Sequence, residues 1–201
     1  TRYPGIKGLD IDLFKEQIHY LQKHYHVITM EEVIFSIDNQ VKIPDKSALL
    51  TFDDAYSDHY ENVFPILDKY KLQGSFYAPA KAVTEHTVLD VNKIHFILAS
   101  VDNKAFIVSD LKELIGAYQE EYQLQNFDYY YKKLACVDNY DTEEVIFIKR
   151  LLQVELREEL RIKITNTLFE KYVGMSEPSF SRELYMNEEQ LKHMLRSGQH
   201  I

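Results

Sequence analysis

Apolar positions recur along this chain with two different periods, and the change between them divides it. Phe14, Ile18, Leu21 and Tyr25 are spaced by four, three and four. That is the period of one helix face, so a helix is expected over 10–25, with Asp10 or Asp12 as its cap. Val27-Ile28-Thr29 reads as a short strand, and Met30 to Phe35 as the start of a second helix. The run Ser47-Ala48-Leu49-Leu50-Thr51-Phe52 is apolar and too short for a helix, which predicts a buried strand of a parallel sheet. It runs directly into Asp53-Asp54. A helix over about 60–72 should follow, with Pro65 near its first turn. Gly74 is read as its end, and Ser75 to Pro79 as the next strand. Strand, helix and strand in that order make a βαβ unit, whose parallel strands need helical cover.

Beyond Val83 the period is helical and little else. Val91, Ile94 and Leu98 fit one helix, and Leu111, Leu114 and Tyr118 a second. Val145, Ile148, Leu152 and Leu156 fit a third, and Leu160, Ile164, Leu168 and Tyr172 a fourth, closed by Gly174 and Pro178. Such a length of helix between two strands exceeds an ordinary βα connection, so it reads as an inserted lobe. Asn187-Glu188-Glu189-Gln190 looks like a capped helix start. That helix carries Leu191 and Leu195 to Gly198, and Gln199-His200-Ile201 starts a new extended segment. The expected organisation is residues 1–82 as the first part of an α/β domain, 83–182 as a helical insertion, and 183–201 as a return to the first part.

Composition narrows the partners. With 23 basic and 32 acidic residues the net charge is −9, which repels phosphate backbones and anionic surfaces, so nucleic acid is not expected as a partner. No apolar run approaches the ~20 residues of a membrane span, and no apolar leader segment opens the sequence. A single cysteine, Cys136, excludes an internal disulfide framework and a cysteine zinc cluster. The compartment stays open.

The chemistry concentrates at Asp53-Asp54. A buried strand ending in two carboxylates presents them at its C-terminal edge, where α/β folds build their sites. Adjacent like charges are unfavourable unless a cation or proton relieves them. Asp-Asp pairs are also ordinary turn formers and caps, and the pair alone favours that bland reading. Its surroundings reverse the balance. Thr51-Phe52-Asp53-Asp54-Ala55-Tyr56, then Val63-Phe64-Pro65-Ile66-Leu67, then Gly74-Ser75-Phe76-Tyr77 resembles the first motif of the polysaccharide deacetylases, the NodB-homology domain of carbohydrate esterase family four. The segments Phe14 to Leu21 and Val27 to Glu32 are similar to the helix and strand preceding that motif. The resemblance covers about residues 10–80, with a further match at 183–201.

The resemblance implies a fold and a reaction. The fold would be α/β, a partial distorted (β/α) barrel with a long helical insertion. The reaction would be metal-dependent hydrolysis of N-acetyl groups from amino sugars of a polysaccharide or its precursor. Asp53 would be the general base, and Asp54 a ligand to a divalent metal, zinc above all, beside a His-x-x-x-His pair. A metal so bound lowers the pKa of its water to about 7, and a nearby carboxylate accepts the proton. Two departures stand out. Ala55 replaces the usual glycine, which strains the turn if φ is positive there. The His-x-x-x-His pair is not found, and the sequence reads as ending before it. Weak metal affinity and little activity are therefore expected of these residues, with oligomerisation through exposed strand edges.

Other candidates carry less. His19, His24 and His26 are read as exposed, His59 as a surface-loop residue, and Cys136 as buried rather than nucleophilic. Should ligands come from within the chain, His59, His86 and His200 are the first to consider. Tyr129-Tyr130-Tyr131, among fifteen tyrosines, offer a sugar-stacking surface, but with no tryptophan present they read as core and interface filling. Two rival functions remain open. One is a noncatalytic carbohydrate-binding or scaffolding protein on a similar fold; the other is O-deacetylation or cyclic-amide hydrolysis.

Overall fold

Asp10 caps the first helix, its carboxylate accepting from the backbone N–H groups of Asp12 (2.8 Å) and Leu13 (3.3 Å). This is α1, Ile11–His24, in a computed structural model that describes residues 2–137 and 140–201. Strand β1, His26–Ile28, follows. Thr29 and Glu32 then form a reciprocal capping box that starts α2, Met30–Asn39. β2 spans Ser47–Asp53 and β3 spans Gly74–Tyr77. Between them lie a π-helical turn, His59–Val63, and α3, Phe64–Tyr70, with Pro65 in its first turn. The three strands form a parallel sheet in the order β1-β2-β3. The described strands do not close into a barrel.

Gly74 does not end the helix before it. Lys71 takes that role, in a left-handed conformation with φ 54°. Gly74 opens β3 because no Cβ fits there: one would lie 2.7 Å from Phe76 Cε2, 2.8 Å from Leu67 Cδ1 and 2.9 Å from Phe52 Cε2. The neighbours named are the packed core. Ile18, Phe64, Leu67, Phe76 and Met194 form a buried cluster against one face of the sheet, and Leu50 and Phe52 pack onto it.

Two compact units divide the chain. The sheet unit comprises Gly8–Thr87 and Glu177–Ile201. It includes α4, Ala80–Thr84, then α10, Glu177–Leu184, and α11, Glu188–Arg196. Ser181 Oγ in α10 donates to Ala82 O and Thr87 O, which ties α10 to α4 within the sheet unit. These boundaries enlarge the sheet unit relative to the 82/83 and 182/183 divisions expected from periodicity. The Asn187–Gln190 capping box starts α11. Past it, Gln199-His200 runs alongside β3: His200 N donates to Gly74 O, and Phe76 N donates to His200 O.

The helical unit comprises Thr1–Lys7 and Val88–Ser176. It holds α5, Asp90–Ala99, α6, Ala105–Tyr118, α7, Phe127–Leu134, α8, Glu143–Arg150, and α9, Glu158–Val173. A π-helical turn at Leu151–Glu155 ends the α8 run, so Leu156 lies beyond it in extended backbone. Ile94, Leu111, Ile148, Leu152, Ile164 and Leu168 are all buried, which gives this unit its own apolar seam. Gly174 closes α9 at φ 69°. Tyr130 is buried and Tyr131 packs on Phe147, while Tyr129 stays partly exposed. Cys136 is exposed, not buried; Arg150 Nη1 donates to its sulfur at 2.7 Å. No helix among the described residues is long and apolar enough to cross a membrane.

Candidate active site

Strand alternation decides what the sheet offers at its C-terminal edge. Phe52 and Phe76 are register partners and stack at 4.7 Å with an interplanar angle of 15°, facing the core. One residue further, Asp53 and Tyr77 are register partners and leave the sheet on the opposite face. Asp53 is exposed and Asp54 half-buried. No hydrogen bond or ion pair among the described residues holds either carboxylate. Both line an open depression together with Phe76, Tyr77, Ala78, Pro79 and Ile201.

The turn that aims them is strained. Asp54 has φ 69° and Ala55 φ 53°, two consecutive residues in the left-handed region. Aspartate tolerates that region better than alanine does. The turn is fixed from outside: Met186 N donates to Ala55 O at 2.8 Å, and Tyr56 forms an antiparallel bridge with Tyr185. Ala55 itself is 1% exposed. A conformation held by packing on several sides is one that a site can afford to keep strained.

His59 is not a loop residue. Its ring packs 5.6 Å from Phe52, 5.7 Å from Tyr56 and 5.9 Å from Phe76, and its Nδ1 is buried without a hydrogen-bond partner. Burial pushes the imidazole pKa down, more strongly than Asp58, Asp54 and Asp53 pull it up. His200 is turned to Glu31, its Nδ1 lying 3.2 Å from Glu31 Oε1. Gln73 bridges the same region, its Oε1 accepting from Met30 N and its Nε2 donating to Glu31 Oε2 and Gly198 O. Gln73, the Glu31 backbone N–H and then His200 hold the Glu31 carboxyl below the usual range. His19, His24 and His26 are exposed.

No group of three or more His, Cys, Asp or Glu side chains among the described residues converges as a metal site needs. The described residues therefore supply adjacent carboxylates but not a complete zinc coordination set. His59, His86 and His200 do not join the aspartates into one. Sequence reasoning singled out the two carboxylates through their motif, and the structure places them side by side at the end of β2. It missed the partner position of Tyr77, although the matching order Phe52-Asp53 and Phe76-Tyr77 on two parallel strands carries that signal.

Comparison with known proteins agrees with the local geometry. A family model described as polysaccharide deacetylase matches residues 40–200, which takes in β2, α3, β3 and α11. A Bacillus subtilis (strain 168) protein, YxkH, whose name places it provisionally among the polysaccharide deacetylases, is 30% identical over 59 residues. That match covers 29% of this chain and 21% of the relative. No solved structure matches the chain at a significant level. The family match extends over well over half of the sequence and contains the strand-end aspartates, and on it the chain belongs to the polysaccharide deacetylase family.

Proposed function

We propose that the Asp53–Asp54 edge is the place where an N-acetyl group is hydrolysed from an amino sugar of a polysaccharide or its precursor. The observation that carries this reading is a pair of carboxylates, with no hydrogen bond or ion pair among the described residues, at the C-terminal end of a parallel strand in a member of this family. Asp53, the more exposed, is the general base: it accepts a proton as water attacks the amide carbonyl, and acetate and a free amine result. Asp54, on the strained turn, is the carboxylate offered to a divalent metal, zinc by preference. The other ligands such a metal needs are not among the described residues. The open sheet is read as one arc of the distorted (β/α) barrel. No ligand is assigned to the described residues of the helical unit.

Acetate release tests this, measured with N-acetylated and O-acetylated sugar oligomers in the presence of zinc. With one carboxylate ligand supplied, turnover should be low and zinc affinity weaker than micromolar. Whatever N-acetyl turnover is present should fall by about 10²-fold in Asp53→Asn, because base catalysis typically supplies 10²–10⁴. An unchanged rate in that variant would remove Asp53 from the chemistry. The incomplete ligand set also favours a second reading, noncatalytic carbohydrate binding on the same fold; sugar binding with no acetate release from any substrate would select it.

A further inference from the structure

Among the described tyrosines, Tyr77 alone makes no ring, cation or hydrogen-bond contact. The others are occupied: Tyr56 stacks on Tyr185, Tyr20 lies tilted against His24, and Tyr172 donates to Asp110. Tyr77 is 47% exposed and stands at the rim of the depression that holds both aspartates. Its backbone is in the ladder with Asp53, and Pro79, two residues on, caps α4 with φ −65°. The ring therefore stands on a fixed support next to the carboxylate. A large amphipathic ring with two side-chain torsions loses little freedom on contact, which suits it to binding.

We propose that Tyr77 is the platform on which a pyranose ring of the substrate stacks, holding the ring's acylated edge toward Asp53. The proposal rests on the reading of the Asp53–Asp54 edge given above and names the binding residue it lacks. A pyranose with equatorial substituents carries only C–H groups on at least one face, and that face needs an apolar plane. Its hydroxyls and its acylamino group project around the rim, where they need water or polar partners. Tyr77 supplies the plane, and Asp53 and Asp54 line the same depression. Adjacent strands are about 4.8 Å apart, close to the reach of a substituent beyond the sugar ring it is attached to. An equatorial acylamino group of a sugar lying flat on Tyr77 would thus extend over Asp53 in the plane of the sugar. The depression is open to solvent, which suits one residue of a longer chain better than a small, fully enclosed molecule. The ligand class is a polymer of flat pyranose residues with equatorial substituents.

The test uses the whole 201-residue chain and a tetramer of β-1,4-linked N-acetylglucosamine, followed by amide chemical shifts. Titrations are run on the wild type, Tyr77→Ala, Tyr77→Phe and Asp53→Asn. Shifts should centre on the amides of residues 53–54, 77–78 and 80, either side of Pro79. Tyr77→Ala should weaken binding about tenfold, and Tyr77→Phe should stay near the wild type because the plane is kept. Asp53→Asn should change affinity less than Tyr77→Ala does, since the stacked face is kept. Shifts at those residues with full affinity in Tyr77→Ala would overturn the platform and leave the aspartate site standing. Shifts centred elsewhere would overturn both. No shifts in the wild type would also overturn the platform. Because Tyr77 is exposed and contacts no other side chain in a ring or hydrogen bond, its replacement does not put folding at risk.

Discussion

Ala55 shows how much one side chain decides at this site. The motif it belongs to usually has glycine, and the backbone confirms why: φ is 53°. Ala55→Gly would relieve roughly 1 kcal/mol of left-handed strain but remove a buried methyl worth about 0.8 kcal/mol. The two nearly cancel, so its urea midpoint should stay close to the wild type. Ala55→Val adds a β-branched side chain to the same φ in a filled core, and should cost more than about 2 kcal/mol. His59 gives a second measurable effect. The folded chain holds it neutral, with its pKa below the ordinary 6.5. Just below pH 6.5 the unfolded chain binds the extra proton and the folded one does not, so stability falls as pH drops through that value. The slope should shrink in His59→Phe when urea midpoints are compared between about pH 7.5 and about pH 5.5. Glu31, held below the usual carboxylate range, contributes its own loss only at lower pH.

The sheet places the site through its packing. The Phe52–Phe76 stack fixes the phase of β2 and β3, and that phase turns Asp53 and Tyr77 outward together. Gly74 lies beneath this stack with no room for a methyl. Gly74→Ala should lower stability by about 1–3 kcal/mol through overpacking, seen as a lower melting temperature. An unchanged melting temperature would mean that the stack yields, and that it does not set the phase. The sequence signals at this level were uneven. The Asn187-x-x-Gln190 cap and the 3.6-residue periods of α1, α5 and α9 were legible because each is local. Gly74 was misread because glycine marks both a helix end and a close approach, and only the packing tells them apart. His59 was misread because the ring partners that bury it, Phe52 and Phe76, come from two strands that sequence spacing does not bring together.

The motif around Asp53-Asp54 made the family legible through its flanking segments, Phe64-Pro65-Ile66-Leu67 and Ser75-Phe76-Tyr77, since an acid pair alone is also an ordinary turn or cap. The change of period suggests a sheet part and a helical part, while hydrogen bonds between distant segments, which no local period carries, tie α4 to α10 within the sheet unit. The central claim is that Asp54, and not Asp53, is the carboxylate that meets a divalent metal. Line broadening of amide signals by manganese(II) reads this directly even when binding is weak, in the wild type, Asp54→Asn and Asp53→Asn. The account predicts broadening centred on residues 53–56, lost in Asp54→Asn and largely kept in Asp53→Asn. Equal loss in both variants, or broadening centred in the helical unit, would contradict it.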